Sequence, residues 1–269
     1  MLAYLKILRP SVILLAVFAV IVGAVLSGFW DYYSIGVAAL VALLVCGGGN
    51  VINDIFDYQI DKINKPKRPL PSGKIKMNVA KVYAASLFVV AFFLSVLFLN
   101  TSQLVLVLIN MVVALVYSWK LKALPLIGNL FPSWLAASSF LFGGLFVGIN
   151  ATVLLLFLMA FFANTGREIA KTIEDMPGDK KAGYKTLPLL LGKNFAAGVT
   201  ILFVVFAVML SPLPWALGLL SINYLYVVFI ADVAFAIACW ALLLNASRGQ
   251  FIMKIAMIIS IFAFLSSLI

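Results

Sequence analysis

The sequence predicts an all-α integral membrane protein of about nine transmembrane helices with its N-terminus in the cytoplasm. Three observations carry that reading. Of 269 residues, 65% are hydrophobic and 10% charged, and the mean hydropathy is +1.18, more apolar sequence than a water-soluble core of this size can bury. The apolar residues fall into nine runs, each near the roughly 20 residues that a helix needs to cross a bilayer. All 19 lysines and arginines fall in or beside alternate ends of those runs, the pattern left when basic residues stay on the cytoplasmic side of short loops.

The runs lie near 10 to 29, 34 to 58, 79 to 99, 102 to 119, 126 to 149, 151 to 175, 193 to 210, 222 to 245 and 250 to 268. The first follows Lys6 and Arg9 and has no clear small-residue cleavage site, so it reads as a span rather than a signal peptide. Ser211 to Ser221, with Pro212 and Pro214, reads as a connector with a short interfacial turn. Inner segments hold Lys6 and Arg9, Lys62 to Lys81, Lys120 and Lys122, Arg167 to Lys193, and Arg248 and Lys254; the outer connections around Asp31, Asn100, Asn150 and Pro212 hold no basic residue. Residues 1–269 thus read as a single membrane-embedded domain, multi-pass in the cell membrane.

The formal charge of +10 is a property of the cytoplasmic face, suited to anionic lipid headgroups or phosphorylated substrates. Nucleic acid is excluded as a partner because the basic residues sit in short loops between spans. Histidine is absent, which rules out His ligands, His bases and Ser-His triads. Cys46 and Cys239 lie in apolar runs without CxxC spacing and mark neither a disulfide nor a thiolate metal site. Any metal must therefore be held by oxygen.

One polar stretch interrupts the second run. Asn50, Asn53, Asp54, Asp57 and Asp61 stand at offsets 0, 3, 4, 7 and 11, so on a helix they share one sector about 100° wide. Stacked carboxylates repel one another and are poorly solvated at a membrane helix end, so the stripe calls for a cation. Mg²⁺ takes oxygen ligands and commonly holds substrate phosphates through one or two carboxylates.

A second polar stretch ends the sixth run. Asn164, Glu168, Lys171 and Asp175 repeat the offsets 0, 4, 7 and 11, and Asp179 follows. Pro177 and Gly178 are expected to end the helix and leave Asp179 on the first loop residues. Seven of the nine acids lie in the two stretches. The sequel also repeats: Arg68-Pro69-Leu70-Pro71 then Gly73-Lys74, against Lys185-Thr186-Leu187-Pro188 then Gly192-Lys193. Read as a faint internal repeat, this predicts two acidic stripes facing each other across a central cavity, a site for a diphosphate bridged by Mg²⁺, with Lys and Arg on the remaining oxygens. The chemistry is ionisation of an allylic diphosphate and capture of the allyl cation by a nucleophile, the apolar chain lying among the helices.

These residues resemble the UbiA-type intramembrane prenyltransferases over essentially the whole chain. The family's NDxxDxxxD motif appears at Asn53, Asp54, Asp57 and Asp61, followed by the RPLPSG loop from Arg68 to Gly73; its DxxKDxxDxxGD motif appears at Glu168, Lys171, Thr172, Asp175, Gly178 and Asp179. Glu168 and Thr172 stand where many members have Asp, which bears on metal stoichiometry. A YSxxLK pattern at Tyr117, Ser118, Leu121 and Lys122 is similar to the loop after the fourth span. The resemblance implies nine helices around a central cavity. It implies Mg²⁺ held by Asn53, Asp54, Asp57, Asp61, Asp175 and Asp179, with Asp57, Asp61, Asp175 and Asp179 catalytic, and substrate contacts from Asn50, Arg68, Lys122, Glu168, Lys171, Lys181 and Lys185. Within the family the motifs are most similar to members that transfer a geranylgeranyl group from its diphosphate to the free hydroxyl of geranylgeranylglyceryl phosphate, making the second ether bond of archaeal lipids. The partners implied are a prenyl diphosphate, a lipid-phosphate acceptor and membrane lipids.

Two other readings are open to the sequence. An aromatic-acceptor prenyltransferase shares the diphosphate site and differs at the acceptor, where a phosphate-bearing lipid needs further cations such as Lys120, Lys122, Lys180, Lys181 or Lys185. A cation or lipid transporter needs acids at the bilayer midplane, and only Asp232 fits, as a cavity-lining or helix-pairing group. Gly47, Gly48 and Gly49 are expected to let the second helix bend or pack closely.

Overall fold

In the computed structural model, which describes residues 2–268, each expected span coincides with an α-helix, and no strand occurs among the described residues. Among the described residues, seven helices are long and apolar enough to cross a membrane by length and composition. The first span, α2 (Pro10–Leu26), is a shorter apolar helix. The fifth, α7 (Ile127–Gly144), carries Asn129, Pro132, Ser133, Ser138 and Ser139, which lower its hydropathy. The chain divides into two compact units, residues 2–122 with Ser139–Gly148 and Ala123–Ser138 with residues 149–268.

In the first unit α3 (Tyr32–Phe56) packs against α2, α5 (Met77–Phe98) and α6 (Thr101–Trp119). A short helix, α1 (Leu2–Ile7), precedes α2, and α4 (Tyr58–Asn64) follows α3. Helix starts are fixed by side chains that satisfy otherwise orphaned N–H groups. Asp31 accepts from the Ser34 N–H at 3.1 Å, and the Ser34 hydrogen bonds hold its carboxyl below the usual range. Asn100 and Gln103 form a reciprocal capping box.

Close helix approach depends on small residues, as is usual where lipid supplies no hydrophobic drive for helix association. A Cβ on Gly23 would strike the Phe140 carbonyl, and one on Gly143 the Val20 carbonyl, so α2 and the end of α7 meet backbone to backbone. A Cβ on Gly48 would strike the Phe88 ring of α5, and one on Gly49 would lie 3.4 Å from the Ala114 methyl of α6. Close packing is thus the use of that glycine run.

In the second unit α8 (Ala151–Lys181) packs against α10 (Lys193–Leu210) and α13 (Ala246–Ser266), and α12 (Ile222–Leu244) pairs with α13. Between them lie α9 (Leu187–Leu191) and the short turn α11 (Leu213–Ala216) in the expected connector. Asp232 accepts a hydrogen bond from the Ser211 hydroxyl at 2.6 Å, and the Tyr224 hydroxyl donates to the Ser211 carbonyl at 2.6 Å. Asp232 therefore ties α12 to the end of α10, the helix-pairing role. Leu97, Phe229 and Trp240 are among the many large apolar side chains left exposed on the helices, a surface suited to acyl chains.

One expectation fails. Pro177 and Gly178 do not end α8, which continues to Lys181. The helix stops instead at Gly183, whose φ of 72° reverses the chain while its N–H donates to the Lys180 carbonyl at 3.2 Å and the Tyr184 N–H donates to the Asp179 carbonyl at 3.0 Å. This is the paired 6→1 and 5→2 closure of a Schellman end, and it satisfies last-turn carbonyls that Pro177 leaves untouched. Asp179 thereby sits on the last helical turns rather than on a loop. At 1.5 Å per residue α8 is about 46 Å long, more than the roughly 30 Å hydrocarbon core, so its charged end projects beyond the apolar span.

Candidate active site

The first acidic stripe is built at the α3–α4 junction. Asp57 has φ −80° and ψ 0°, a one-residue departure from helix, yet its N–H still donates to the Asn53 carbonyl at 2.9 Å and the Asp61 N–H to the Asp57 carbonyl at 2.8 Å. The stripe therefore keeps its helical stagger across two helices. Asp54, Asp57 and Asp61 are 2%, 4% and 4% exposed, too buried to remain ionised without partners.

Cations from three separate segments meet them. Arg68 donates to Asp54 Oδ1 at 3.1 Å and to Asp61 Oδ2 at 2.5 Å. It is carried back by the loop after α4, where the Ser72 N–H donates to the Arg68 carbonyl at 3.0 Å and Leu70 and Ile75 are anchored in the core. Lys122, in the 3₁₀ turn Leu121–Ala123, pairs with Asp57, which also accepts from Asn53 Nδ2 at 3.1 Å. Arg9 pairs with Asp54. Burial pushes the Asp61 carboxyl above its usual range, opposed by Arg68 and reinforced by Asp57 and Asp54.

The second stripe is arranged differently. Glu168 takes Lys171 at 2.7 Å and Arg167 at 3.1 Å. Asp175 is half-buried and has no hydrogen bond or ion pair among the described residues. Asp179 is buried. Lys181 and Lys185 are exposed, and the Lys185 N–H donates to the Ala123 carbonyl at 3.1 Å. Asn164 Nδ2 reaches the Ser133 hydroxyl at 3.5 Å.

Of the residues the sequence singled out, Asn53, Asp54, Asp57, Asp61, Arg68 and Lys122 form one cluster. Asn50 lies beside it but donates to the Leu8 carbonyl at 2.9 Å, a contact that fixes the chain between α1 and α2. Lys171 neutralises Glu168 rather than Asp175. Arg9 and Arg167 stand out in the sequence only as part of the charge of the inner face. The local signal at Arg9 is its place directly before Pro10, at a helix start.

Among the described residues, no three acidic side chains converge to hold a metal by themselves; in the first stripe their oxygens are turned toward guanidinium and ammonium groups. Yet the Asn53 Oδ1 is buried without a partner. An orphaned amide oxygen beside three carboxylates is the donor set of a hard divalent cation.

The helix pattern is that of an intramembrane enzyme, and the chain belongs to the UbiA prenyltransferase family, which matches residues 12–267. The digeranylgeranylglyceryl phosphate synthase of Methanopyrus kandleri is 37% identical over 274 residues, covering 99% of each chain, and that of Methanococcus aeolicus is 41% identical over 248 residues, covering 91% of this chain and 88% of its own. A solved structure of digeranylgeranylglyceryl phosphate synthase is 40% identical with a TM-score of 0.81, covering 98% of this chain and 97% of that one. A UbiA homolog from Archaeoglobus fulgidus bound to DMAPP and Mg²⁺ shares the fold at 20% identity, with a TM-score of 0.67 over 98% and 97% of the two chains.

Proposed function

We propose that the protein transfers a geranylgeranyl group from geranylgeranyl diphosphate to the free hydroxyl of geranylgeranylglyceryl phosphate, with Mg²⁺. The observation that carries the reading is the first stripe: three buried carboxylates, each held by a cation, around an amide oxygen that has no partner. The relatives named digeranylgeranylglyceryl phosphate synthase support the choice of acceptor. The family match from residue 12 to 267 supports one prenyltransferase domain, and the one-sided basic loops support an active site at the cytoplasmic face.

Asn53, Asp54, Asp57 and Asp61 would hold magnesium at the first stripe, and Asp175 and Asp179 supply oxygens of the same kind at the second. Bound there, the metal supplies Lewis-acid stabilisation of the leaving diphosphate. Arg68 and Lys122 would present their N–H groups to phosphate oxygens; charge-assisted bonds of this kind strengthen as the donor's C–O bond breaks and its electron pair leaves with the diphosphate. The acceptor hydroxyl oxygen forms the new bond to the allylic carbon, and its proton passes to the departing diphosphate. Glu168 keeps Lys171 and Arg167 near the second stripe.

An acceptor panel tests the assignment. Purified protein with Mg²⁺ and geranylgeranyl diphosphate is expected to prenylate geranylgeranylglyceryl phosphate. Efficient prenylation of 4-hydroxybenzoate or a naphthoate, with no product from the glycerol phosphate lipid, would overturn it.

A further inference from the structure

We propose that Arg9 is a phosphate-binding residue of the first stripe, parked on Asp54 until an anionic substrate arrives. The inference rests on the reading that this stripe handles phosphorylated substrates.

Charge bookkeeping within the cluster singles Arg9 out. Asp54 Oδ1 receives two guanidinium groups, from Arg9 and from Arg68, whereas among the described residues Asp61 has Arg68 alone and Asp57 has Lys122 as its only cation. Removing one partner from a buried pair is strongly unfavourable because it leaves a bare charge. Arg68 cannot leave without stripping Asp61, and Lys122 cannot leave without stripping Asp57. Arg9 can leave, since Asp54 keeps Arg68. Among the described residues it is the one cation of the cluster that an incoming anion can claim without leaving a carboxylate bare.

The backbone at Arg9 is built to aim that side chain. Its φ of 57° and ψ of 71° lie in the left-handed region, which a long L side chain enters at a cost and only where its surroundings hold it. The surroundings do hold it. Ile7 and Leu8 are buried in the cluster with Ile13, Val51 and Leu70, Asn50 clamps the Leu8 carbonyl, and the Arg9 N–H donates to the Lys6 carbonyl at 3.2 Å. Two flanking anchors and a sharp turn at Pro10 turn the guanidinium inward, while the side chain stays 29% exposed and so within reach of a ligand. A lysine or arginine needed only for membrane orientation requires none of this.

The phosphate has two possible sources, the diphosphate of the prenyl donor and the phosphate monoester of the lipid acceptor, and the experiment separates them. Full-length protein in detergent is compared with Arg9→Asn, because Asn tolerates the left-handed backbone, and with Arg9→Lys, which keeps charge but loses the fork. Binding of a non-hydrolysable prenyl diphosphate analogue and of a prenylated glycerol phosphate is titrated with and without Mg²⁺, alongside thermal unfolding and a dephosphorylated prenylglycerol control. Arg9→Asn is expected to weaken one phosphate ligand at least tenfold and the prenylglycerol less than twofold, with partial recovery in Arg9→Lys. Weakening in the diphosphate arm assigns Arg9 to the donor; weakening in the monoester arm assigns it to the acceptor. Affinities within twofold of wild type in both arms, or equal losses for the phosphate-free control, overturn the proposal. If wild-type protein binds the diphosphate but no glycerol phosphate lipid, the acceptor reading fails while the diphosphate arm still decides Arg9.

Discussion

Replacing Arg68 by Ala is the sharpest test of how the first stripe holds itself together without metal. Arg68 bridges Asp54 and Asp61, with Asp61 Oδ2 at 2.5 Å, and the two acids are nearly fully buried while Arg68 is 23% exposed. Two unit charges about 4 Å apart at an effective dielectric of about 20 attract by about 4 kcal/mol. Stranding one member of a buried pair costs about 3–5 kcal/mol. Asp54 retains Arg9, so only Asp61 is stranded, and partial exposure of Arg68 screens the pair; the expected loss is about 2–4 kcal/mol. For a chain of this size that is roughly 5–15 °C in Tm. The assay is thermal unfolding in detergent with EDTA, repeated with Mg²⁺ and in the Asp61→Asn background. Magnesium should recover part of the deficit by taking over as counter-cation, and Arg68→Ala should cost far less once Asp61 is neutral. A Tm within about 2 °C of wild type in EDTA, corresponding to under about 1 kcal/mol, together with no coupling to Asp61→Asn, would refute the account of a self-compensated stripe.

Two further predictions follow from the same structure. Asp57→Ala, Asp61→Ala, Asp175→Ala and Asp179→Ala should each lower kcat with Mg²⁺ by about 100-fold or more, since each removes an oxygen that matters most as the diphosphate leaves; near-wild-type rates at any two of these positions would contradict the two-stripe assignment. Gly143→Ala should destabilise the first unit by about 1–3 kcal/mol, the range for overpacking, because the added methyl meets the Val20 carbonyl; thermal unfolding checks it, and an unchanged Tm would mean that α2 and α7 separate freely.

Much of the architecture was legible because a bilayer imposes one-dimensional rules. A span must be apolar for a fixed length and must satisfy its own backbone, so nine helices could be located from composition, and the runs ended near the observed helix ends. Helical stagger is likewise local, which is why Asp54, Asp57 and Asp61 could be put on one face although α3 yields to α4 at Asp57. The end of α8 departs from expectation for a local reason too: Pro177 reads as a stop, whereas the left-handed Gly183 closes the last carbonyls and keeps Asp179 helical.

The sequence by itself determined that the chain is a helical membrane protein with two acidic stripes and basic residues gathered at alternate ends of the spans, because hydropathy, period and charge are properties of neighbouring residues. Only the tertiary structure decided which cation serves which carboxylate. Arg9, Arg68 and Lys122 are 45, 14 and 65 positions from the acids Asp54, Asp54 and Asp57 that they reach, and no local rule ranks one loop lysine or arginine above another. That choice is made by where buried anchors such as Ile7, Leu70 and Ile75 fix each loop, and by the high cost of leaving a buried carboxylate without a partner.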